Sequence, residues 1–220
     1  MEILHPDTQK PLQPAKIVCI GKNYAKHAAE MDSDVPEEPM IFLKPSSSLV
    51  DENGSIVIPA MSADVHHEVE LVVLVGKKGK HIPEQEAMSY VAGYAVGLDM
   101  TARDLQAKAK KAGAPWSVAK GFDTFAAVGS FVGVDAVEDV HNVDIRLTIN
   151  GTIRQDGNTR DMVFKLPTLI AYASRIFTLE PGDLLFTGTP EGVGPVLEGD
   201  TLTASIAGLP TLTIGVKKES

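Results

Sequence analysis

The sequence predicts an α+β fold rich in strand, and three observations carry that expectation. Segments with strand composition outnumber those with helical pattern. Most connections between them read as antiparallel turns or irregular chain. The strongest apolar signal lies between Val65 and Gly76, whose second half is a continuous β-branched run. It stops at Gly76 and Lys77-Lys78-Gly79, as a well-buried strand does. No low-complexity linker or internal repeat interrupts the 220 residues. The chain therefore reads as one domain over 1–220, with 1–15 as an N-terminal extension.

In chain order, residues 16–20 form a short strand ending at Gly21. Gly21 and Asn23 suit a turn, and 25–31 has good helix propensity. Residues 32–39, acidic and bearing prolines, read as a mobile loop. A strand over 40–44 is followed by a turn at 45–48, then by a hairpin tip at Asp51-Glu52-Asn53-Gly54 before 56–58. Residues 83–90 fit a helix with proline in its first turn. The glycine-interrupted strand 91–100 delivers Asp99 near its end. Thr101 is placed to cap a helix over 102–112, which Gly113 stops. Residues 114–125 are irregular and carry the single tryptophan, Trp116. Residues 143–149 alternate, and Asn150-Gly151 is a two-residue hairpin signal into 152–155. An amphipathic helix over 166–177 and a strand over 184–187 precede two closing strands, 201–206 and 211–216.

A net charge of −9 opposes general electrostatic attraction to nucleic acid or an anionic membrane. The single cysteine, Cys19, excludes an intramolecular disulfide and reads as a buried core thiol. Residues 1–6 lack the basic and apolar regions of a secretory signal. No apolar run approaches the roughly 18 residues that cross a bilayer. The expected location is the cytoplasm, with neither membrane nor nucleic acid as partner.

Residues two apart on a strand project to one face, so Glu68 and Glu70 should converge. Like charges aimed at one place cost free energy unless a cation or proton neutralises them. Alone, the pair fits an exposed strand edge equally well. Asp99 adds a third acid at a core strand end, and an all-carboxylate set suits a hard divalent cation, Mg²⁺ or Mn²⁺. No Cys/His cluster has zinc-ligand spacing. His66 and His67 read as neighbours of the acids rather than ligands. His27 and Glu30, three apart on a helical turn, form a potential base and its orienter, although surface pairs of this spacing are common. Arg103 and Gln106 suit a carboxylate ligand, the arginine as a fork, or else an ordinary solvated helix face. Lys120, between Trp116 and Phe122, either enters a partly apolar pocket or snorkels. Residues 187–194 are a tight turn or a set of N–H groups facing an anion, without the lysine of a nucleotide-binding loop.

Five motifs, in this order, resemble the fumarylacetoacetate hydrolase family. The branch they resemble is that of short, single-domain acylpyruvate hydrolases and oxaloacetate decarboxylases. They are Gly-x-Asn-Tyr-x-x-His-x-x-Glu at 21–30, His-His-Glu-x-Glu at 66–70 and Leu-Asp-Met-Thr-x-Arg-Asp-x-Gln at 98–106, followed by Ala-Lys-x-Phe-Asp at 119–123 and Thr-Gly-Thr-Pro-x-Gly-Val-Gly at 187–194. The resemblance runs from about residue 16 to the end of the chain. It implies a mixed β-roll of that family's C-terminal domain type, a Mg²⁺ or Mn²⁺ site and a homodimer. By position, Glu68, Glu70 and Asp99 resemble the metal ligands. His27 and Glu30 resemble a water-activating dyad on a lid segment, and Lys120 the active-site lysine. Arg103, Gln106 and Thr189 resemble groups that hold the carboxylate of a 2-oxo acid. The extra N-terminal domain of larger members is expected to be missing.

The implied activity is metal-dependent cleavage of the carbon–carbon bond of acylpyruvates, decarboxylation of oxaloacetate, or both. A 2-oxo acid chelates the metal through a carboxylate oxygen and its keto oxygen, and the metal stabilises charge as an enolate forms. Water activated by His27 and Glu30 would attack the distal carbonyl of an acylpyruvate. Loss of CO₂ from oxaloacetate gives the same enolate, and proton movement alone gives tautomerisation. A hydratase, isomerase or oxaloacetate tautomerase of the same family is one alternative. A non-catalytic oxo-acid-binding protein is another.

Overall fold

The strand Val69–Val75 is buried at every position. It pairs antiparallel with Val91–Asp99 on one side and Leu184–Phe186 on the other. Its run is continuously apolar because both faces are covered. Leu71 and Val73 join one core cluster with Val96, Leu98, Leu147 and Leu202. Val72 and Leu74 point the other way, toward Ile17, Ala95 and Phe186. The computed structural model describes residues 3–219. Met1 and Glu2 of the expected extension and the unsecreted N-terminus, and Ser220, lie outside the described residues.

Around this centre the larger sheet runs in the order Met40–Lys44, Ile17–Gly21, Leu184–Phe186, Val69–Val75, Val91–Asp99, Ala126–Val128, Leu49–Val50. A second sheet of five strands follows the order Thr152–Asn158, Asp144–Ile149, Thr201–Ile206, Leu212–Lys218, Ser55–Ile58. Both sheets mix parallel and antiparallel pairs. The α+β, strand-rich class holds. The glycine interruptions of Val91–Asp99 are close approaches: a Cβ on Gly93 would lie 2.1 Å from the Val132 carbonyl oxygen.

Several local expectations change. The turn at 51–54 is no hairpin tip, because Leu49–Val50 pairs with Ala126–Val128 and Ser55–Ile58 with Leu212–Lys218. It passes the chain from one sheet to the other, with the Asp51 carboxylate accepting from the Asn53 N–H at 3.0 Å. Asn150-Gly151 does close a hairpin, both residues at positive φ, and its second strand runs on to Asn158. Residues 84–90 form a 3₁₀ rather than an α-helix. Thr101 caps nothing: the helix is Arg103–Ala112, and the Thr101 hydroxyl donates to Glu68 instead, at 3.1 Å. The expected irregular stretch contains a short helix, Ser117–Lys120.

Candidate active site

Glu68 does not share a strand with Glu70. It occupies the break between Val65–His67 and Val69–Val75. The carboxylates converge nonetheless: Glu68, Glu70 and Asp99 each place an oxygen within 4.8 Å of the others, and all three are buried. The break is held from the second sheet by Gln155, itself buried. Its Oε1 accepts from the Val69 N–H and the His67 Nδ1, each at 3.0 Å, on either side of Glu68. Its Nε2 donates to the Thr189 hydroxyl at 2.8 Å and the Pro190 carbonyl at 2.9 Å. One amide thus ties the backbone on both sides of Glu68 to the 187–194 turn.

Buried carboxylates need compensating charge. The Lys120 ammonium lies 2.8 Å from Glu68 Oε2 and 2.7 Å from Asp99 Oδ2, so it does not snorkel. Arg103 donates to Glu68 Oε1 at 2.6 Å and to Gln106 Oε1 at 2.8 Å. A second lysine, Lys44, was not singled out in the sequence. Its ammonium donates to the carbonyls of Met100, Lys120 and Phe125 at 3.0, 2.5 and 2.8 Å, and lies 2.7 Å from Asp99 Oδ1. It therefore fixes Asp99 and the backbone that carries Lys120. The one available signal was that Phe42 and Lys44 share a face of a strand beside the site.

The charges set opposite protonation tendencies. Burial pushes the Glu68 carboxyl up, but Lys120 and Arg103 outweigh it and hold it well below the usual range. Glu70 is raised well above that range, by burial first and then by the charges of Asp99 and Glu68. Its carboxylate accepts the Gly188 N–H at 2.7 Å, and no cationic side chain pairs with it among the described residues. Burial depresses Lys120, but Asp99 and Glu68 more than restore it, and its pKa is raised. For Lys44 burial wins and the pKa is lowered. His66 and His67 are both lowered, chiefly by burial, and bond to Asp64 and Gln155.

The opposite wall comes from the helix Ala25–Glu30. His27 Nδ1 lies 3.2 Å from Glu30 Oε2, the dyad geometry the spacing predicts. Glu30 also accepts the N–H of Gly192 at 3.0 Å, which docks this helix on the 187–194 turn. Gly192 has φ +94, and a Cβ there would lie 2.2 Å from the Arg154 carbonyl oxygen, so only glycine fits. His27, Glu68, Glu70, Arg103, Gln106 and Lys120 line one cleft, together with Thr189. The Thr189 hydroxyl is engaged by Gln155 and donates to the Val69 carbonyl at 2.8 Å. The Arg103 Nε is buried without a protein partner among the described residues.

Three buried oxygen donors, one of them without a counter-cation, fit a hard divalent ion. Residues 16–217 match the family model described as fumarylacetoacetate (FAA) hydrolase C-terminal. The sequence is 52% identical over 206 residues to the oxaloacetate tautomerase, mitochondrial, of Arabidopsis thaliana, covering 94% of this chain and 92% of that protein. It is 50% identical over 197 residues to the oxaloacetate decarboxylase, mitochondrial, of Dictyostelium discoideum, covering 89% and 90%. The crystal structure of fumarylpyruvate hydrolase from Pseudomonas aeruginosa in complex with Mn²⁺ and pyruvate matches with a TM-score of 0.92 at 36% identity. That match covers 100% of this chain and 96% of that one. Two of these relatives are named mitochondrial, which stands against a strictly cytoplasmic expectation. No helix among the described residues is long and apolar enough to cross a membrane. The chain belongs to the fumarylacetoacetate hydrolase family of enzymes.

Proposed function

We propose that this protein is a Mg²⁺- or Mn²⁺-dependent enzyme that forms the enolate of a 2-oxo acid, with oxaloacetate as substrate. The observation that carries the reading is the convergence of Glu68, Glu70 and Asp99 on a cleft that Arg103 and Gln106 also line. Glu68, Glu70 and Asp99 would hold a divalent ion, which would supply positive charge to offset the negative charge of a forming enolate. Lys120 pairs with both Glu68 and Asp99 and places an ammonium at the floor of the cleft. Arg103 and Gln106, joined by a hydrogen bond and both lining the cleft, orient the carboxylate of the 2-oxo acid. Loss of CO₂ leaves an enolate that takes up a proton at carbon, and tautomerisation moves a proton between C3 and the keto oxygen, so both steps also need a proton carrier. Two relatives named for those reactions on oxaloacetate support this reading.

Hydrolysis of acylpyruvates is the second activity, and the His27–Glu30 pair favours it. Glu30 fixes the ring through Nδ1 and leaves Nε2 to take a proton from water. The homodimer implied by the resemblance is supported by the edge strand Met40–Lys44, which leaves Leu43 exposed. The test is turnover of oxaloacetate and of acetylpyruvate side by side with Mg²⁺, Mn²⁺ and a chelator, following tautomerisation and CO₂ loss separately. Metal-dependent loss of oxaloacetate is expected. Thermal stabilisation by the 2-oxo acids with no turnover of either would make the protein a binding module.

A further inference from the structure

The cleft has an inner and an outer part. The inner cations, Arg103 and Lys120, are committed to Glu68 and Asp99. Two further lysines, Lys22 and Lys110, line the same cleft. Neither takes part in an ion pair or side-chain hydrogen bond among the described residues, and the acids lining the cleft are the two inner glutamates. In a chain of net charge −9, this mouth carries cationic groups with no acid set against them.

Both lysines are positioned rather than merely present. Arg103, Gln106 and Lys110 lie at i, i+3 and i+7 of one helix, so a single face presents all three to the cleft. Lys110 stands just over one turn, ~6 Å along the axis, beyond Gln106. Its ammonium lies 5.4 Å from the centroid of the Trp116 ring, which gives it an aromatic rest. Lys22 is held at φ +58, in the left-handed region where a glycine or asparagine would sit with less strain. Burial, then the charges of Arg103 and Lys22, depress Lys110.

We propose that Lys22 and Lys110 form a second anion subsite at the mouth of the cleft, which takes the distal carboxylate of a dicarboxylic 2-oxo acid. The inference rests on the 2-oxo acid reading above and narrows it: short dicarboxylic 2-oxo acids are bound more tightly than monocarboxylic acylpyruvates, whose distal end is uncharged. One carboxylate lies on Arg103 and Gln106. The other reaches outward, past Trp116, to the two ammonium groups.

The test compares oxaloacetate with pyruvate, which has the 2-oxo acid end and no distal carboxylate. The KM for oxaloacetate and the inhibition constant of pyruvate are measured with saturating metal for the wild type, Lys22→Asn, Lys110→Gln and the double variant. Asparagine tolerates the backbone at position 22, and Lys111→Gln serves as a control for net charge. The expected result is a rise of roughly tenfold or more in the double variant's KM, as for two lost charge-assisted contacts. Its kcat and the pyruvate constant should move far less, and Lys111→Gln should move neither. Equal shifts in KM and in the pyruvate constant, an unchanged KM, or an equal shift in Lys111→Gln would each overturn the subsite alone. A wild type inert toward oxaloacetate would overturn the 2-oxo acid reading, and the subsite with it.

Discussion

The carboxylate floor of the cleft and the arm that carries His27 and Glu30 are held in place by different means. The floor draws on Asp99, Lys120, Lys44 and Arg103, each from a different element, and opposite charges buried together fix one another. The arm is a six-residue helix. It is tied by the Asn23 side chain to Thr187 and Phe164, by Glu30 to one backbone N–H, and by an exposed Lys26–Glu191 contact at 3.4 Å. Most of residues 32–39 beyond it are exposed or half-buried. The contrast separates two tasks. Groups that stabilise developing charge gain from rigidity, whereas groups that deliver water must admit the substrate first.

Lys120→Met should give the largest effect, because it strikes the floor. Glu68 and Asp99 would lose a shared buried partner, at a cost of about 3–5 kcal/mol in the metal-free protein, and turnover should be abolished. Denaturant unfolding with and without Mg²⁺ measures this, and added metal should restore part of the loss. A change no larger than at a surface lysine would mean the floor is not held by its charges. His27→Ala strikes the arm and should spare stability by comparison. Acetylpyruvate hydrolysis should fall roughly 10²–10⁴-fold, with oxaloacetate decarboxylation falling much less, when both rates are taken on one preparation at saturating metal. A parallel collapse of the two would assign His27 to binding or closure instead of water activation.

The same contrast shows what the sequence could reveal. The acids and the dyad were legible because their spacing is local: Glu68 and Glu70 are two apart, His27 and Glu30 three. The reason given for the first pair was nonetheless incomplete, since Glu68 lies in a strand break held by Gln155, a residue 87 positions later. Lys44 and Gln155 act through distant backbone and side chains, and in isolation read as an edge lysine and a polar strand residue. The turn at 51–54 shows the same limit. Its chemistry is equal whether the chain returns to its own sheet or crosses to another, and only the parallel pairing with Leu212–Lys218 decides. Thr101 was misread because its hydroxyl had a buried carboxylate to satisfy.

The most direct test of the metal site is a calorimetric Mg²⁺ titration of the wild type and Glu70→Gln across a range of pH. Glu70 is the carboxylate without a counter-cation among the described residues, and its raised pKa favours the protonated form in the metal-free protein. A raised carboxyl pKa contributes stability that is full at low pH and lost as pH climbs through the folded-state value. The cation must displace that proton, so wild-type affinity should rise with pH and level off above that value. Glu70→Gln keeps an acceptor for the Gly188 N–H and cannot take up a charge at any pH. Its metal-free stability should therefore hold or rise while Mg²⁺ binding is lost. Wild-type Mg²⁺ affinity in Glu70→Gln would contradict the assignment of Glu68, Glu70 and Asp99 as the metal site.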